Sequence, residues 1–116
     1  MAFVKKPVTI KSGTAVTVET VLDTEIGNQG LMALVGILMP AVVDANALSV
    51  QFSFDGGSTF KPIVDSTGTA KTITQTAGKY VTLPASDYPC IPGPLNLSAA
   101  GNAAADRTYV LVFRSV

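Results

Sequence analysis

At 116 residues, 47% apolar and 14% charged, the chain is long enough for one domain with its own core. It carries well below the ~25% charge of an average soluble domain. Eight basic residues balance eight acidic ones, so the basic excess of a nucleic-acid binder is missing. With no histidine, no tryptophan and one cysteine, the sequence excludes Ser-His-Asp and Cys-His catalysis, a Cys/His zinc site and an intrachain disulfide.

Taken in order, residues 1–7 are expected to form an N-terminal arm, with the domain over 8–116. Phe3 and Val4 are apolar, Lys5 and Lys6 are charged, and Pro7 interrupts regular pairing. Six extended residues reach about 20 Å, so Ala2, Phe3, Val4, Lys5 and Lys6 are candidate partner contacts. The plainer alternative makes this stretch the first edge strand. No signal-peptide core follows Lys6, because Pro7 and polar residues come next. Val8–Ile10 reads as a short strand and Ser12-Gly13-Thr14 as a turn. In Ala15–Leu22, Val16, Val18 and Leu22 are expected to face inward, with Thr17 and Glu19 outward. Asp23–Gly30 is a polar loop.

Leu31–Met39 is the one segment where helix and strand compete. Gly36, the β-branched residues and Pro40 favour a buried strand over Leu34–Met39. The apolar run Leu31–Val43 is interrupted, and too short for the ~20 residues a membrane helix needs. Leu48, Val50, Phe52 and Phe54 alternate with Ser49, Gln51 and Ser53, the period of a half-buried strand. Asp55-Gly56-Gly57 then turns the chain, with Gly56 or Gly57 at φ > 0. Short strands follow over Phe60–Val64, Ala70–Thr74, Lys79–Leu83 and Leu95–Ser98. Between the last two, Pro84–Pro94 holds four prolines and forms a stiff ordered loop. Ile91 and Leu95 are its expected apolar tips, and its stiffness makes it a candidate second contact with a partner. In Arg107–Val116 both faces are apolar, which predicts an interior strand buried on both sides. About eight short strands separated by turn signals predict an all-β, single-domain, two-sheet β-sandwich or jelly roll. Phe52, Phe54, Val81, Leu111 and Phe113 are its expected core.

No residue pattern points to catalysis, a cofactor or a metal. Asp44, Asp55, Asp65, Asp87 and Asp106 all fall at predicted turns, where a carboxylate caps the backbone more readily than it binds calcium. Cys90, between Pro89 and Ile91, is expected to be a small apolar residue. Tyr80, Tyr88 and Tyr109 either stack a sugar or pack in the core and its rim.

Several stretches, in order along nearly the whole chain, resemble small virion proteins of tailed bacteriophages, often encoded near the major capsid protein. These are Lys5-Lys6-Pro7-Val8-Thr9-Ile10 with Ser12-Gly13-Thr14-Ala15, Gly36-Ile37-Leu38-Met39-Pro40, and Phe52-Ser53-Phe54-Asp55-Gly56-Gly57-Ser58-Thr59-Phe60. Tyr80-Val81-Thr82-Leu83, Ala105-Asp106-Arg107-Thr108 and Leu111-Val112 complete the set. The resemblance implies a β-sandwich structural protein of the phage head, of the decoration or cement type, made in the host cytoplasm. It would be no enzyme and would use no cofactor. Its partners would be the major capsid protein and further copies of itself, as dimer or trimer, and neither nucleic acid nor membrane. The alternative is a tail or fibre-base module that binds a host glycan. The proline-rich Pro84–Pro94 loop departs from the family pattern.

Overall fold

The computed structural model describes residues 3–22, 32–84, 86–89 and 91–115. The expectations for Ala2, Cys90 and the loop at 23–30 lie outside them. The strands are β1 (Phe3–Ile10), β2 (Met32–Leu38), β3 (Ala47–Ser53), β4 (Phe60–Pro62), β5 (Ile73–Thr74), β6 (Tyr80–Thr82), β7 (Leu95–Ala99) and β8 (Arg107–Ser115). They form two antiparallel sheets, and there is no helix among the described residues. The predicted all-β sandwich is the fold.

The first sheet runs β1-β8-β2-β6. In β8 every second residue from Tyr109 to Phe113 is apolar and large, and Tyr109, Leu111 and Phe113 are fully buried. Opposed residues of an antiparallel pair share a face. Val8 and Val4 on β1, and Leu34 and Ile37 on β2, therefore join them on the inner side. The second sheet is built on β3. Phe52 pairs with both Lys61 and Leu95, and Leu48 with both Ile73 and Ala99. So β7 lies on one edge of β3, and β4 and β5 follow each other along the other. Leu48, Val50 and Phe52 face inward with Leu95 and Leu97, and the inner faces of both sheets merge in one apolar core.

Residues 3–7 are not a separate arm. Each residue from Phe3 to Ile10 is matched with one of β8, from Arg114 down to Arg107. Val4 packs on the core with Phe113 opposite, which draws the stretch into the sheet. Pro7 tolerates this because of its parity. At Thr9, two residues on, the backbone N–H donates to Glu19 and the C=O accepts from Val18, on the edge away from β8. Pro7 therefore lacks its N–H on the open edge, where no ladder bond is lost.

Three other expectations change. The segment at 15–22 bridges the sheets at their rim, linking Ile10 to Thr17, Val16 to Ser98 and Val21 to Leu95. Glu19 is exposed as expected, but the other faces are reversed. Thr17 is buried, its hydroxyl accepting from the Leu97 N–H, while Val16, Val18 and Leu22 are exposed. In the Pro84–Pro94 loop Tyr88 and Ile91 turn inward while Pro84, Pro89 and Pro92 stay exposed, so Ile91, and Leu95 just beyond the loop, are buried rather than tips. It closes one end of the sandwich, with Leu34 N–H donating to Tyr88 O and Ser53 N–H to Pro94 O. That task needs apolar anchors on the inside, and a Cβ at Gly93 would strike the Ser53 carbonyl.

Phe54 is 71% exposed, against the expectation that it continues the inner face of β3. The ladder ends at the Ser53–Phe60 pair. There Asp55 Oδ1 accepts from the Ser53 hydroxyl (2.8 Å) and from the backbone N–H of Ser58 (3.1 Å) and Thr59 (2.9 Å). The Ser53 hydroxyl in turn accepts from Gly57 N–H at 2.8 Å. This closed turn takes Phe54 out of the pleat before it can point inward. Gly56 (φ 78°) and Gly57 (φ 103°) both occupy the predicted left-handed region.

Two predictions follow from this division. Phe52→Ala should cost about 3–5 kcal/mol, and Phe54→Ala less than about 0.5 kcal/mol, in denaturant titrations; equal losses would overturn the placement of the strand end. A Cβ at Gly57 meets no atom within 4 Å, so Gly57→Ala should lose only the backbone penalty of a left-handed residue, about 1–2 kcal/mol.

Candidate functional site

The outer faces of the two sheets differ in chemistry. On the second sheet the outward residues of β3 and β7 are Ser49, Gln51, Asn96 and Ser98. The Ser49 and Ser98 hydroxyls share a hydrogen bond of 2.9 Å, and Asn96 Oδ1 accepts from the Thr20 hydroxyl at 3.0 Å. This side is polar, with Asn96 and Ser98 largely buried in it.

On the first sheet the outward residues fall into rows set by the register. Phe3, Arg114 and Ala33 form one row; Lys5, Val112, Gly36 and Thr82 the next; Pro7, Val110, Leu38 and Tyr80 the third. Thr9 and Thr108 close the face with a hydroxyl–hydroxyl bond of 2.9 Å. Phe3 is 58% exposed, Leu38 45% and Tyr80 46%; Val110 is half-buried. Gly36 explains the lie of the tyrosine: a Cβ there would fall on the Tyr80 ring, so the ring lies diagonally over a residue without a side chain. Covering a strand glycine with a neighbouring aromatic restores the side-chain contact that glycine cannot supply. The result is a flat, mainly apolar face with aromatic residues at two corners.

The predicted site residues divide accordingly. Phe3 and Lys5 point outward on this face. Val4 packs toward the core, Lys6 shares its inner parity, and Ile91 and Leu95 are core residues. Tyr80, a sugar-stacking candidate in the sequence, belongs to the face, as do Leu38, Val110 and Arg114, for which the sequence suggests no site. The two-sided apolar pattern of β8 was the available signal, but it predicts burial on both sides. β8 is interior to its sheet, as expected, with Tyr109, Leu111 and Phe113 in the core; on its outer side Val112 is buried too, and Val110 and Arg114 are half-buried.

The aspartates are occupied as turn caps and ion pairs. Asp65 Oδ1 accepts from the backbone N–H groups of Thr67 and Thr69 and from the Thr67 hydroxyl, and Asp106 Oδ1 from Ser12 N–H. Asp44 forms a two-pronged pair with Arg107, at 3.1 and 3.2 Å. Hydrogen bonds donated to these carboxylates hold Asp44, Asp55, Asp65 and Asp106 below the usual carboxylate range. Among the described residues no three acidic or cysteine side chains gather as a metal site would require. A depression of about 320 Å³ is lined by Asp44, Asn46, Thr74 and Gln75. Its polar groups are largely engaged: Asp44 by Arg107, Asn46 by Gln75, and Gln75 by the Tyr109 hydroxyl.

Of the three tyrosines only Tyr80 reaches the surface; Tyr88 and Tyr109 are buried. A pair of exposed tyrosines able to sandwich a sugar is not formed. No family model, no curated protein and no solved structure matches the chain.

Burial pushes the Tyr88 and Tyr109 hydroxyls up from 10.0 to about 12. A raised phenol favours the fold while neutral. Their contribution is therefore complete below pH 10 and lost as pH rises toward about 12. Thermal melts should fall across that interval, with these two tyrosinates appearing only as the protein unfolds. Ionisation of Tyr88 and Tyr109 near pH 10 with the fold intact would contradict their burial.

Proposed function

We propose that the chain is a structural virion protein of the head decoration or cement type, which docks on the major capsid protein of an assembled phage head. The observation that carries this reading is the outer face of the first sheet. Pro7, Val110, Leu38 and Tyr80 form one apolar row there, with Leu38 and Tyr80 exposed, and Phe3 is exposed two rows away, whereas Ser49, Gln51, Asn96 and Ser98 on the outward side of β3 and β7 are polar. An exposed apolar row on a sheet marks an interaction surface, and an open sheet face suits another protein's surface better than a small molecule, which prefers a concave site. The choice of a phage head comes from the ordered sequence resemblance. A cement protein needs no reaction centre. Many copies of a modest contact, repeated by the symmetry of a shell, stabilise it by binding the assembled form and not its parts.

The test mixes the purified chain with empty capsid shells that lack it and sediments them. The wild-type chain should co-sediment and raise the temperature at which the shells come apart. Leu38→Asp changes an exposed position, so it should keep the fold while binding about tenfold or more weakly. Failure of the folded wild-type chain to co-sediment would overturn the cement reading.

A further inference from the structure

The apolar face carries charge of one sign only. The strands of the first sheet contain Lys5, Lys6, Arg107 and Arg114 and no acidic residue. Arg107 is taken up by Asp44. Lys5 and Arg114 stand on the outer face, in adjacent rows beside Phe3. Elsewhere Lys11 and Lys71 find Asp106 and Asp87, but among the described residues neither Lys5 nor Arg114 meets a carboxylate. Arg114 has a second peculiarity. Its Nε is shut off from solvent and has no hydrogen-bond partner. A buried N–H without an acceptor is a cost that folded proteins rarely leave standing.

We infer that the partner surface covering this face is acidic: it places carboxylates opposite Lys5 and Arg114 around an apolar centre that meets Leu38 and Val110. A guanidinium offers Nε and a terminal nitrogen as a fork matched to a carboxylate. Turning the Arg114 head group outward onto such a carboxylate gives Nε the acceptor it lacks. The same charges disfavour a second copy of this chain in face-to-face contact. A two-fold axis through the face would bury Lys5 and Arg114 of both copies with no acidic residue on either face to pair with them. Duplex DNA supplies anions but no apolar surface for Leu38 and Val110, and the chain has no net positive charge to hold it.

The inference rests on the cement reading, and one experiment separates the two. Wild-type chain, Arg114→Gln and Lys5→Gln are titrated onto empty capsid shells at low and high salt, with circular dichroism confirming each fold. Each variant should bind on the order of tenfold more weakly at low salt, and the difference should shrink at high salt. Carbodiimide coupling should join Lys5 to an aspartate or glutamate of the shell subunit, identified by mass spectrometry. Wild-type binding with both variants unchanged would overturn the acidic partner while leaving the cement reading in place; no wild-type binding would overturn both. Lys5 is exposed, so Lys5→Gln remains informative should Arg114→Gln fail to fold. Sedimentation of the free chain as a dimer that Leu38→Asp dissociates would assign the face to self-association. Binding to duplex DNA as tight as to shells would assign it to nucleic acid. Either result would overturn the inference.

Discussion

The first sheet depends on a single strand with two partners. β8 holds β1 on one side along eight residues and β2 on the other along six. Its inward residues, Tyr109, Leu111 and Phe113, are fully buried in the core shared with the second sheet. Without β8, β1 has no ladder and β2 keeps only the short β6. The strand also sets the chemistry of the opposite surface, because its outward residues are Val110, Val112 and Arg114. Burial on one side and the apolar outer face thus arise from the same nine residues.

The two sheets meet the solvent by different means. The second keeps small polar side chains outside and bonds them to one another, as in the Ser49–Ser98 pair. The first leaves Leu38 and Tyr80 in the open and spends a glycine, Gly36, to lay the tyrosine flat. Apolar atoms are common on any protein surface, and Val16, Val18, Leu22, Val42, Phe54 and Val64 are also exposed. The first sheet differs in lining Val110, Leu38 and Tyr80 up in one row, where the second sheet has serines, Gln51 and Asn96. That contrast within one small domain is what favours a docking role over a generally low-charge surface.

The fold was largely legible because strand period and turn chemistry are local. Alternation in Leu48–Phe52 and Tyr109–Phe113, and the Asp55-Gly56-Gly57 turn, depend on neighbours in sequence. The errors fall where distant contacts decide. Phe54 continues the alternation, but the Asp55 carboxylate and Ser53 hydroxyl end the strand before it. Thr17 faces inward because Leu97 N–H needs its hydroxyl, a contact across 80 positions. Ile91 reads as a loop tip until the loop is seen to close the sandwich. Of the docking face, Phe3 and Lys5 were accessible as apolar and charged residues near Pro7. Tyr80 was legible as an aromatic candidate, but its place on one face with Leu38 and Arg114 was not, because a face shared by four strands exists only once their register is known.

Pro7 has a consequence for the company the protein can keep. β1 is the open edge of its sheet, and an open edge is a template on which another chain can lay a further strand. From Phe3 to Pro7 the outward backbone groups belong to alternate residues, and at Pro7 that row lacks a donor. A foreign strand adding there would meet a gap in its hydrogen bonds, with the charge of Lys5 two residues away. At residues 3–7 that gap and the nearby charge weigh against copies pairing edge to edge along β1.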